Sequence, residues 1–104
     1  MQFNVEISEL AERQYGDILS YIANQLENPQ AVKNVIDDFD STVNRLEKMA
    51  EKFGLCKSER LKALGLHKIR FEKHRYLFVY RIEGQQEVVI EGMYHELQDY
   101  ENAI

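Results

Sequence analysis

Near the middle of this chain the spacing of apolar residues changes from a helical to an alternating period, and that change constrains the fold more than any other feature. From Leu10 to Ala50 apolar residues recur every three or four positions; from His67 onward they recur at every second one. The first period belongs to a helix with one buried face, the second to a strand. A chain of 104 residues with that switch near its middle builds its helices before most of its sheet. A helical stripe must be buried against something, and one face of that sheet is the surface available.

A short strand is predicted ahead of the helices, because Phe3, Val5 and Ile7 alternate with Gln2, Asn4 and Glu6. Ser8 then stands where an N-cap belongs, with Glu9 and Glu12 in the first turn, where the helix dipole favours acids. Leu10, Ala11, Tyr15, Ile18, Leu19, Ile22, Ala23 and Leu26 mark the apolar face of the first helix. Asn28-Pro29 opens a second, with Asn as cap and Pro at the first helical position. Its stripe runs through Val32, Val35, Ile36, Phe39, Val43, Leu46, Met49 and Ala50, and Gly54 is expected to close it in the left-handed conformation. The short connection between the two implies an antiparallel helical hairpin.

A polar loop is expected near Cys56–Glu59. Beyond it His67, Ile69 and Phe71 face one way, and Lys68, Arg70 and Glu72 the other. Tyr76, Phe78, Tyr80 and Ile82 alternate with Leu77, Val79 and Arg81; Gly84-Gln85 turns the chain, and Val88, Val89 and Ile90 begin a last strand. These last two strands are apolar on both faces, which predicts central places in the sheet. Met93 to Ile104 reads as an acidic tail with at most one helical turn. The expected layout is β-α-α-β-β-β, an α+β two-layer arrangement with a mostly antiparallel sheet, and residues 1–104 form one domain.

Cys56 is the single cysteine, so no intrachain disulfide forms, and a lone thiol fits a reducing compartment. Residues 1–8 carry no signal-peptide pattern, and no apolar run approaches the roughly 18–20 residues of a membrane span. The expectation is a soluble cytoplasmic protein without a membrane partner. The net charge of −5 argues against a general nucleic-acid binder, but the charge is segregated. Residues 1–52 hold ten acids and five bases, residues 53–82 two acids and eight bases, and residues 83–104 six acids and no base. A basic segment between two acidic ones invites an acidic partner or balances the protein's own acids across the fold.

Four stretches, in this order, resemble the RelE/ParE toxin superfamily of type II toxin–antitoxin systems. They are "FNVEISELAERQYGDILSYIANQ", "NPQAVKNVIDDFDSTVNRLEKM", "SERLKALGLHKIRFEKHRYLFVYRIEG" and "VVIEGMYHELQDYENAI". Each is short and degenerate; together they span nearly the whole chain. The resemblance implies a growth-inhibiting toxin of plasmid-stabilisation type. A cognate antitoxin would restrain it within a hetero-oligomer, through a segment that folds on binding. Superfamily members share a fold and differ in target. Some are ribosome-dependent mRNA interferases; the ParE branch poisons DNA gyrase and is not a nuclease.

Cleaving RNA would require groups that activate a 2′-OH, stabilise a charged phosphorane and protonate the leaving oxygen. By resemblance to the endonucleases, Lys68 and Arg70 match their basic second-strand positions and His95 their terminal acid–base position. Tyr100 falls near their terminal Tyr. The cation before an "LVY"-like stretch is replaced here by Leu77 before "FVY". Arg75 lies two residues earlier, an even offset that keeps it on the same strand face as a candidate substitute. Leu at this place is what the gyrase-poisoning branch tends to have, whereas the acidic tail departs from the basic tails common there. Lys62, Lys68, Arg70, Lys73, Arg75, Arg81 and Tyr94 are the candidate partner- or RNA-binding residues. His67 reads as a hydrogen-bonded core histidine and His74 as a turn residue. The three histidines lack metal-ligand spacing and there is no phosphate loop, so neither metal nor cofactor is expected. The favoured reading is a ParE-like gyrase poison. The alternatives are an mRNA interferase using Lys68, Arg70, Arg75 and His95, or an inactive antitoxin-binding module.

Overall fold

The computed structural model describes residues 2–104; Met1, counted in the single expected domain, lies outside the described residues. Strand β1 (Asn4–Ile7) runs into helix α1 (Glu9–Tyr21), and Ser8 caps it by accepting from the Ala11 N–H at 3.1 Å. The helix ends in a π-helical turn, Ile22–Leu26, and Glu27 reverses the chain in the left-handed region at φ 47°. Helix α2 (Pro29–Met49) starts at Asn28, whose side chain accepts from Gln30 and Ala31, as the Asn-Pro signal predicts.

Strands β2 (His67–Arg70), β3 (Tyr76–Glu83) and β4 (Glu87–His95) follow, in the sheet order β1-β4-β3-β2. The two hairpin-linked pairs are antiparallel, and β1 returns to lie parallel to β4. The two strands with apolar residues on both faces are the central ones.

The helices cover one sheet face. Phe39 of α2 stacks on Tyr15 of α1, with centroids 3.8 Å apart, and meets Phe71 and Phe78 edge-on. Leu46, Tyr80, Val88, Ile90 and Met93 complete this main core, and the buried Tyr80 hydroxyl donates to the Ala50 carbonyl at 2.6 Å. No helix among the described residues is long and apolar enough to cross a membrane.

Three local expectations need correction. Gly54 is not a left-handed cap: α2 tightens into a 3-10 turn, Ala50–Lys52, and the left-handed glycines are Gly65 and Gly84. A tightened last turn satisfies helix-end carbonyls without any αL residue. The polar loop leads into a short helix α3 (Glu59–Ala63), and β4 continues through Met93 to His95 before the tail begins. The tail itself ends in a helical turn, α4 (Tyr100–Ala103).

Those two short helices build a second core on the sheet face away from the hairpin. It comprises Cys56, Leu61, Leu66, Leu77, Val79, Tyr94 and Tyr100, with Ile104 packed against it. Sequence reading finds both faces of β3 apolar but not what covers the second one, because a five-residue and a four-residue helix carry too little periodicity to register.

Candidate functional site

Alternation along β3 and β4 sorts the candidate residues onto two faces. Lys68 is half-buried on the face of the second core, and its ammonium reaches the Tyr100 hydroxyl at 3.4 Å. Tyr100 in turn stacks on Tyr94, with centroids 5.7 Å apart. The Tyr94 ring lies across Gly92: a β-carbon there would stand 2.6 Å from the ring, so a larger residue requires the ring to shift. Leu77 is 1% exposed within the same cluster. The Glu101 carboxylate accepts from the Ser58 backbone N–H at 2.7 Å, and Arg60 donates to the Glu101 carbonyl at 2.9 Å, so the tail is fastened over this face. Cys56 is buried beneath it; burial, and then the charge of Glu101, push its thiol pKa up, away from a reactive thiolate.

His95 is on the other face. Its ring packs edge-on against Tyr76 at 5.5 Å, and Tyr76 packs on Phe71 of the main core. The Leu97 N–H donates to His95 Nδ1 at 3.1 Å, so a proton on a neutral ring sits on Nε2. Burial, then the neighbouring Tyr21 phenol, raise the Tyr76 pKa. The acid–base candidate and the half-buried cation of the sequence reading therefore stand on opposite sides of the sheet.

The other candidates are dispersed. Arg75 precedes β3, is 71% exposed, and pairs with Glu96 at 3.7 Å. Arg70 is exposed at the end of β2, its carbonyl taken by Arg45. Arg81 is bound to Glu83 and to Glu91. Lys62 pairs with Glu59 on α3, and Lys73 offers its backbone N–H to Asp38. His67 donates from Nδ1 to the Phe53 carbonyl at 2.9 Å while its ring stacks on Tyr80.

One arrangement escaped sequence reading. Asp38 is 3% exposed, and a single oxygen, Oδ2, accepts from His74 Nδ1 at 2.7 Å and from the Lys73 N–H at 3.1 Å. The pair ties the β2–β3 turn to the middle of α2, beside an open cleft of about 420 Å³. The signal was present: Asp38 lies three residues after Val35 and four before the buried Thr42, on the stripe that must be buried. An acid there needs a partner, and His74 supplies it.

Comparison with known proteins bears on the fold and the family. No curated protein matches the chain. Among solved structures, "Chromosomal ParDE TA system from P. aeruginosa" is similar at TM-score 0.73, with 17% identity over 90% of this chain and 96% of that one. At that identity the likeness speaks for the fold. The family model described as "ParE toxin of type II toxin-antitoxin system, parDE" matches residues 5–100. With nearly the whole length matched and the layered architecture shared, the chain belongs to the ParE toxin family of type II toxin–antitoxin systems.

Proposed function

We propose that this chain arrests growth by poisoning DNA gyrase in the cytoplasm, and that a cognate antitoxin neutralises it in a hetero-oligomer. The observation that carries the choice of target is Leu77. The related endonucleases place a cation there to stabilise the transition state; here the position is 1% exposed, under Tyr94 and Tyr100. Losing one such stabilising group costs about 2.7–4 kcal/mol of barrier. Arg75 is a poor replacement, being exposed and paired with Glu96. The opposite-face placement of His95 and Lys68 weighs the same way, since one phosphate cannot be reached from both sides of a sheet. Family membership supports the antitoxin partner.

The test is pulse labelling of DNA and protein synthesis within minutes of inducing the chain without antitoxin. DNA synthesis is expected to stop first while translation persists. Immediate arrest of translation, with DNA synthesis continuing, would overturn the gyrase reading in favour of an mRNA interferase.

A further inference from the structure

The two edges of the sheet are treated differently. The chain itself closes the outer edge of β2: the Lys68 N–H donates to the Gly54 carbonyl at 3.1 Å, Leu55 bridges His67, and Arg45 donates to the Arg70 carbonyl at 2.9 Å. Among the described residues, the edge at β1 is open at Val5 and Ile7. The Asn4 N–H bonds to the Gln86 carbonyl at 2.7 Å and the Ser8 N–H to the Ile90 carbonyl at 3.0 Å. Positions 4, 6 and 8 thus turn their backbone groups toward β4, and Val5 and Ile7 turn theirs outward. Phe3, also outward, is closed by the Glu47 carbonyl at 2.7 Å. Among the described residues, the outward N–H and C=O groups of Val5 and Ile7 have no hydrogen-bond partner. Such a row is a template for one more strand.

Side chains specify which strand fits. Val5 and Ile7 are half-buried against the main core, on the helix-packed face. Asn4 and Glu6 project from the opposite face, where Glu87 and Val89 are their cross-strand neighbours. The next strand adds Glu83 and Arg81, and Arg81 is already bound to Glu83 and Glu91. Glu6 and Glu87 are in no ion pair among the described residues. A second copy added edge to edge would bring these acidic rows together, and like charges across strands are destabilising. A strand alternating aliphatic with basic side chains has neither problem. Its aliphatic residues extend the Val5–Ile7 row, and its cations meet Glu6 and Glu87.

We propose that the β1 edge is the docking strip for an extended segment of a partner protein that alternates aliphatic with Lys or Arg residues. The toxin–antitoxin reading enters only in taking that partner to be the antitoxin; the surface is tested without it. The full chain is titrated with a six-residue peptide of alternating valine and lysine, and with its valine–glutamate counterpart, while amide exchange is followed. The lysine peptide is expected to bind and to slow exchange at Val5 and Ile7 at least tenfold; the glutamate peptide is expected to do neither. Val5→Pro removes an outward N–H and leaves the bonds to β4, so the fold should survive and binding should be lost. Glu6→Lys should weaken the lysine peptide at least tenfold, and it carries the test if the proline variant fails to fold. Equal binding of both peptides, protection elsewhere on the chain, or a free chain that sediments as a dimer through this edge overturns the proposal. If translation rather than DNA synthesis stops in cells while the lysine peptide still binds β1, the target reading fails and the docking strip stands.

Discussion

Gly92 is the residue whose replacement should report most cleanly on the second core. The Tyr94 ring occupies the space a β-carbon would need, with the nearest ring atom 2.6 Å away. Both groups sit on one strand, so the ring cannot move aside without losing its stack on Tyr100 and loosening the tail. Gly92→Ala is therefore expected to lower the thermal midpoint and to raise protease cleavage after His95 while the helical signal is retained. The cost falls in the range of about 1–3 kcal/mol usual for overpacking. Unchanged tail protection in the variant would show that the Tyr94 position is not what holds α4. In the sequence Gly92 is one more glycine in an apolar strand; its neighbour two positions on is what makes it informative.

Elements differ in how openly the sequence declares them. Ser8 and Asn28 announce the two long helices because caps and apolar stripes are local, and β3 and β4 declare themselves by alternation. The short helices α3 and α4 are too brief to carry a period; they are held by contacts distant in sequence, such as Glu101 with Ser58. For the same reason the candidate site was legible only in part. Alternation correctly separates Lys68 from Ile69, but whether His95 shares the face of Lys68 depends on the register between β3 and β4. A shift between Val79 and Tyr80 interrupts that register, and no single strand reveals it. The burial of Leu77 likewise depends on α4. Leu77→Ala is expected to destabilise the fold by about 2–5 kcal/mol in a denaturant titration. Leu77→Arg, which restores the endonuclease residue, should abolish stable folding rather than confer RNA cleavage. A folded Leu77→Arg protein that cleaves ribosome-bound mRNA would reverse the functional reading.

At the scale of the whole molecule, the buried Tyr80 and the half-buried Tyr15 and Tyr76 are expected to set the alkaline limit of stability. Tyr15 is pushed up to about 12 by burial and, after that, by Asp40; Tyr76 and Tyr80 are raised by burial as well. In the unfolded chain the same groups ionise near pH 10. A folded value above the unfolded one means the contribution is complete below about pH 10 and is lost as pH rises toward 12. Cys56, raised too, adds to that fall from a lower pH, because free thiols ionise at about 8.5. The thermal midpoint should hold level to about pH 8, then decline, most steeply between about 10 and 12. Tyr15→Phe should make that decline shallower, as a pH series of melting curves would record.

The parallel pairing of β1 with β4 also bears on when the fold can be completed as the chain is made. Asn4 lies beside Glu87, and Ser8 hydrogen-bonds to the backbone at Ile90 and Glu91, so the first strand waits for the last. A nascent chain cannot pair β1 until Glu87–His95 has been made, and contacts this remote in sequence form late. The sheet is therefore completed only once Glu87–His95 has been made, and on the proposed reading this leaves an antitoxin made nearby an interval in which to meet an unfinished fold.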